Sequence, residues 1–272
     1  MGKAMPFLDL PPDTKLFYKI DDHTDPWTAP ESILFVHGFC ENTEAWLAWV
    51  PHFSRHYRVI RFDQRGFGQT GPVPEGFEFT TEMFVEDMVR LINALSPRAP
   101  VHVVGGKSGG MPVIKLAIMR PDLVKTITLV TSPVKGPSVP GWIEHMDKFG
   151  MRSWARWTMD GRLGSRMPQP GVDWWADLMG QTSLATGHAY VRWVGGVDLN
   201  PELGNVRCPA LVIANDTPRR GIAEFEAYQK KIPHSELVTI PVDGYHTAAV
   251  APDECAQATL DFLARHRAAE KE

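Results

Sequence analysis

Residues 103–110 read Val103-Val104-Gly105-Gly106-Lys107-Ser108-Gly109-Gly110. An apolar, β-branched run over 101–106 leads into them, and a helix-period stretch over 109–119 follows. Within the run, Gly106-Lys107-Ser108-Gly109-Gly110 is a G-x-S-x-G motif, and its strand–turn–helix setting is what gives the motif meaning. A serine on so sharp a turn sits in strained backbone, and glycines two residues to either side let chain and helix pass without Cβ clashes. The turn also opens a helix, so free N–H groups and the positive end of its dipole face the same point. Ser108 is therefore the expected nucleophile.

Outward from this turn, short apolar runs alternate with helical stretches. Strands are expected near 15–20, 32–37, 57–63, 101–106, 125–131, 209–214 and 236–240, and helices near 43–53, 81–95, 109–119, 219–231 and 252–266. That alternation predicts an α/β fold, a mostly parallel central sheet flanked by helices. In the stretch 81–95, Phe84, Met88, Leu91, Ile92 and Leu95 recur at helical spacing and form one apolar face. The alternation fails between about 133 and 205, where glycine and proline break up a segment containing Trp142, Trp154, Trp157, Trp174, Trp175 and Trp193. The domain reading is a core of residues 1–133 and 206–272 with a helical cap, 134–205, folded over the carboxyl edge of the sheet. Ligands of open α/β sheets bind at that edge. Cys40, Trp142, Trp157, Trp175 and Trp193 are the expected pocket residues.

A serine hydroxyl needs a base, and that base needs an acid to orient it. His246, in Asp243-Gly244-Tyr245-His246-Thr247, follows the last strand run and is the expected base. Asp216, at the end of Leu211-Val212-Ile213-Ala214-Asn215-Asp216, is the expected acid, with Asp243 the alternative. His37-Gly38-Phe39-Cys40 follows the strand at 32–37, so the backbone N–H groups of Phe39 and Gly109 are the expected oxyanion donors. His37 itself reads as a structural hydrogen-bonding residue.

The 272 residues are 43% hydrophobic and 22% charged, with net charge −4, so no basic field suggests nucleic acid. Cys40, Cys208 and Cys255 lie far apart and form no CxxC pair, which predicts neither zinc site nor disulfide and favours a reducing cytoplasm. Residues 1–10 lack the pattern of a secretory leader, and no apolar run approaches the roughly 18 residues of a membrane span.

Together His37-Gly38-Phe39, Phe62-Asp63-Gln64-Arg65-Gly66-Phe67-Gly68, the glycine-rich elbow, Cys208-Pro209-Ala210-Leu211-Val212-Ile213 and the His246 loop make the chain resemble the α/β-hydrolases with a helical cap. The cap length and its lead into Val206-Arg207-Cys208-Pro209 resemble the 3-oxoadipate enol-lactonase and small carboxylesterase branch. The resemblance implies hydrolysis of a small ester or lactone with an apolar part, through an acyl-enzyme on Ser108. No metal or organic cofactor is implied, and a homo-oligomer is left open. A carbon–carbon bond hydrolase of a diketone, a perhydrolase side activity and a small-ligand receptor are the other readings. Two departures stand out. Lys107 precedes the serine where relatives often carry His, Asn, Gln or Trp, and is read either as solvated or ion-paired beneath the elbow or as tuning the site's electrostatics. The usual strand–Gly-x-x-Asp loop is shortened to Asn215-Asp216.

Overall fold

The computed structural model describes residues 6–10 and 14–266, and its strands form one eight-stranded sheet. The strands are β1 (Phe7–Leu10), β2 (Thr14–Asp21), β3 (Ser32–Val36), β4 (Arg58–Phe62), β5 (Val101–Gly106), β6 (Val124–Val130), β7 (Ala210–Ala214) and β8 (Ser235–Thr239). Their order is β1-β2-β4-β3-β5-β6-β7-β8; β1 and β2 run antiparallel to their neighbours and the rest are parallel. The seven strands expected from sequence are present with ends shifted by at most one residue. β1 was not anticipated, because a four-residue edge strand carries too short a pattern to register.

Every residue of β3, β5 and β7 is buried, as strands covered by helices on both faces must be. The helix Thr81–Leu95 covers the expected span: Thr80 accepts the Met83 N–H at 3.1 Å, and Phe84, Val85, Met88, Leu91 and Ile92 are its buried face. The stretch 43–53 differs. It forms a 3-10 turn (Thr43–Trp46) and a single helical turn (Val50–Phe53). Four helices, Trp142–Trp157, Met159–Leu163, Gln169–Gly180 and Leu184–Gly196, stand between β6 and β7. Their neck is stitched by an antiparallel bridge of Lys135 with Asp198, flanked by Gly136 N–H to Val197 O at 2.7 Å and Leu199 N–H to Val134 O at 2.8 Å.

The strand order reverses at β3, whose neighbours β4 and β5 lead away in opposite directions, and side chains beyond the carboxyl ends of β3 and β5 converge there. β5 passes through a 3-10 turn (Lys107–Gly109) into the helix Gly110–Met119. This turn is wedged against the loop after β3. A Cβ on Gly109 would overlap the His37 carbonyl oxygen and stand 2.7 Å from that of Val36, and one on Gly105 would lie 2.6 Å from the Gly110 Cα. A Cβ on Gly106 would meet only the Trp46 ring, at 3.3 Å. Backbone cannot step aside as a ring edge can. Gly109→Ala and Gly105→Ala are each expected to destabilise the fold by about 3 kcal/mol, and Gly106→Ala by about 1 kcal/mol or less. Urea denaturation midpoints at constant m-value check the ranking.

Candidate active site

The two backbone-limited glycines, 105 and 109, flank Lys107 at two residues on either side. Lys107 also has the positive φ of the turn, +48°, a conformation that costs an L residue about 1 kcal/mol. Lys107 is therefore the apex of the elbow, and Ser108 is the residue after it. The expected frame is corrected by one position. Its physical reason lies in the glycine run: Gly105-x-Lys107-x-Gly109 and Gly106-x-Ser108-x-Gly110 satisfy the same spacing, and only the backbone contacts distinguish them.

Ser108 is buried, and its Oγ accepts the Phe39 N–H at 3.2 Å and the Tyr190 hydroxyl at 3.0 Å. An oxygen accepting two hydrogen bonds is stabilised as it stands, and among the described residues no base is hydrogen-bonded to it. Burial raises the Tyr190 pKa, so the phenol remains a donor. Of the two expected oxyanion donors, the Phe39 N–H thus points at the elbow and is occupied by the Ser108 hydroxyl. Among the described residues the other expected donor, the Gly109 N–H, makes no hydrogen bond to this oxygen.

Lys107 Nζ is ion-paired with Glu41 Oε1, and the same carboxylate oxygen lies 3.1 Å from His246 Nε2. The Gly38 N–H donates to Glu41 Oε2 at 3.0 Å. All three side chains are buried: Lys107 is 7% exposed, Glu41 3% and His246 2%. Burial pulls the Lys107 pKa down to about 8, against the upward pull of Glu41. Burial alone would raise Glu41, but the Lys107 charge and the His246 contact hold it well below the usual carboxylate range. His246 is driven to about 4 by burial and by the Lys107 charge, so it is neutral at pH 7. No hydrogen bond of good geometry satisfies Lys107 Nζ, Glu41 Oε1 or either ring nitrogen of His246 among the described residues. Such buried groups are costly unless a ligand or water completes them.

Asp216 does not serve His246. β7 ends at Ala214, and it is Asn215 that turns inward, its Nδ2 donating to Gly244 O at 2.8 Å and Val242 O at 3.4 Å. Asp216 is exposed and caps its own turn, accepting the Ile222 N–H at 3.2 Å. Asp243, the alternative acid, accepts the Ser165 N–H instead. The carboxylate beside His246 is Glu41, which sequence reading passed over. Its signal was weak: a lone Glu four residues after His37. His37 is structural, as expected; its Nδ1 contacts Gly38 O at 2.8 Å, and its Nε2 accepts the Gln64 N–H at 2.9 Å.

The cavity above the apex is walled by Phe39, Lys107, Ser108, Val139, Trp142, Arg162, Tyr190, Arg219, Arg220 and Tyr245. Trp142 alone among the expected tryptophans is in this wall. Trp175 packs edge-on against the His246 ring at 4.8 Å. Trp193 is anchored elsewhere, its indole N–H donating to Thr81 Oγ1 at 3.2 Å while the ring packs on Phe84. Trp157 is 53% exposed and stacks on His145. Cys40 is buried beside Thr182, outside the wall, and burial raises its thiol to about 12. Large aromatics hold the inserted helices together as readily as they line a cavity, and composition does not separate the two uses. Among the described residues no group of three or more His, Cys, Asp or Glu is placed to hold a metal, and no helix is long and apolar enough to cross a membrane.

Known proteins agree with this architecture. The (E)-2-((N-methylformamido)methylene)succinate hydrolase of Acinetobacter baylyi is 25% identical over 252 residues, spanning 86% of this chain and 90% of that protein. The 2-hydroxy-6-oxo-6-(2'-aminophenyl)hexa-2,4-dienoic acid hydrolase of Metapseudomonas resinovorans is 24% identical, over 86% of this chain and 84% of its own. The enol-lactonase of Burkholderia xenovorans superposes with a TM-score of 0.86 at 21% identity, covering 95% of this chain and all of that one. The sequence profile of the alpha/beta hydrolase fold matches residues 31–187, more than half of the chain. The chain belongs to the α/β-hydrolase fold family.

Proposed function

We propose that this protein hydrolyses a carbon–carbon bond in a small 1,3-dicarbonyl compound through an imine on Lys107, with residues 134–205 as the cap over the site. The observation that carries the reading is the lysine at the elbow apex, buried, paired with Glu41 and facing the cavity. An amine in this position changes what covalent catalysis can do. Acyl transfer to Lys107 would give an amide, which water does not cleave on a catalytic timescale. An imine, by contrast, hydrolyses readily, and a desolvated lysine is a known way to form one.

The Lys107 amine adds to one carbonyl carbon, and the carbonyl oxygen takes up a proton from solvent and leaves as water beside the Phe39 N–H and the Tyr190 hydroxyl, which donate to Ser108 Oγ in the free protein. A C=N bond remains, protonated on nitrogen. Water then adds to the second carbonyl, and the bond from that carbon to the central carbon breaks. Its electron pair moves toward the iminium, leaving an enamine on Lys107 and releasing a carboxylic acid. Protonation of the enamine carbon and addition of water to C=N release a ketone and restore the amine. The net reaction is diketone plus water to acid plus ketone. Lys107 reacts as the free amine, its proton given up to solvent; the proton released as the carboxylic acid forms also goes to solvent, and the Glu41 carboxylate stands as counter-ion to the iminium. The relative that hydrolyses an oxo-hexadienoic acid supports carbonyl chemistry of this class on the fold.

The first test is cyanoborohydride trapping with 2,4-pentanedione, read by peptide mass spectrometry. The expected result is a reduced adduct on Lys107, with acetate and acetone formed in its absence. Lys107→Met is expected to lose both, cleavage falling by about three orders of magnitude. A fluorophosphonate adduct on Ser108, with ester or lactone turnover lost in Ser108→Ala and kept in Lys107→Met, would instead establish an acyl-serine hydrolase.

The pH profile is a second test. The ammonium form is inert, so kcat/KM rises with pH and levels off above an apparent pKa of about 8. The groups that set this value are Glu41, which raises it, and Arg162, which lowers it together with burial. Glu41→Gln removes the upward pull and is expected to move the midpoint to lower pH. A midpoint that moves upward, or a profile flat from pH 6 to 9, would count against the amine.

A further inference from the structure

The charges in the cavity wall do not balance. Lys107 is matched by Glu41, and Arg220 by Glu224, whose carboxylate is 2.9 Å from Arg220 Nε. Arg162 and Arg219 have no acidic partner among the described residues. Arg162 is only 2% exposed; a guanidinium nitrogen donates to Thr158 Oγ1 at 3.3 Å, and its Nε meets no acceptor. Arg219 is exposed at the rim. Both cations lean on the same two rings, Arg219 at 4.6 Å from Tyr245 and 5.3 Å from Trp142, Arg162 at 5.2 Å and 5.9 Å. Cation–π contact offsets about 0.5–2 kcal/mol of the cost per ring, well short of what an unpaired buried cation forfeits. The Tyr245 hydroxyl, also buried, is unpartnered as well.

We infer that Arg162 and Arg219 form the seat for a carboxylate carried by the substrate, which makes that substrate a 1,3-dicarbonyl acid rather than a neutral diketone. The dicarbonyl half of this statement rests on the imine reading; the carboxylate half rests on the arginines alone. A guanidinium fork takes a planar carboxylate through two parallel N–H···O bonds, and burial among Val139, Trp142 and Tyr245 strengthens each of them. The two arginines and Lys107 line one cavity, so a single small ligand can meet both. The carboxylate meets the arginines while the reacting carbonyl meets Lys107.

Binding is measured by calorimetry on Lys107→Met, which cannot form the imine, using 4,6-dioxoheptanoate, the neutral 2,4-heptanedione and inorganic phosphate. The acid is expected to bind at least about tenfold tighter than the dione and to weaken with added salt. Arg219→Met is expected to lose about tenfold for the acid and nothing for the dione, with Arg219→Lys between. Arg162→Met is expected to do the same where thermal melts show it folded; the rim variant decides the matter if it does not fold. Equal affinity for acid and dione, an unchanged Kd in Arg219→Met, or tighter binding of phosphate than of the acid would overturn the seat. Selective acid binding without any borohydride-trapped adduct in the parent protein would leave the seat standing and overturn the imine.

Discussion

The site depends on one buried carboxylate. Glu41 leaves the loop after β3 held by the Gly38 N–H, and its other oxygen lies between the ammonium of Lys107 and the ring of His246. Each partner arrives from a different part of the chain: Lys107 from the β5 elbow, His246 from the loop after β8. A cation in this position without its anion would be driven neutral by burial, and the anion without its cation would protonate. Neither charge is stable there alone. The pair lets a buried lysine stand at the apex, and the wedge of Gly109 against the His37 carbonyl fixes where the apex stands.

The fold was legible because it rests on periodicity. β3, β5 and β7 are continuous apolar runs, and the helix Thr81–Leu95 repeats its apolar face at helical spacing between clear end signals. The site was legible only in part. Phe39 and His246 were placed by their loops, and both stand at the elbow. Ser108 and Asp216 were chosen by residue type; Ser108 stands one step past the apex, and Asp216 is exposed, bonded to the Ile222 N–H. Four glycines in six residues allow two elbows one step apart, and the presence of serine in one of them decided the reading. At β7, Asp216 had the expected identity, while Asn215 had the inward position. Glu41 carries its charge in a loop without periodicity, where a carboxylate is ordinarily solvated; only the tertiary arrangement reveals that it is buried between two bases.

The aromatic side chains illustrate a similar limit. Phe39 stacks on Tyr190 at 4.8 Å and packs on Trp154 at 5.2 Å, so a single ring from the β3 loop joins the elbow to two inserted helices. Tyr190 in turn reaches Ser108 through its hydroxyl. The inserted helices thus touch the reacting centre through rings that are also their own packing. A substitution that reshapes the cavity is therefore also a substitution in the small core beneath it.

The stitched neck of the insertion separates these helices from the sheet in another sense. Lys135 and Asp198 bring the entering and leaving chains together as a short antiparallel ladder, and the loop after β8 adds a second tie, Tyr245 N–H to Gly161 O at 3.1 Å and His246 N–H to Arg162 O at 2.9 Å. Ladder and elbow together divide the inheritance of this chain. The elbow is written in a few residues of the sheet's turn, while the wall above it is shared between the inserted helices, which bring Trp142, Arg162 and Tyr190, and the loops after β7 and β8, which bring Arg219 and Tyr245.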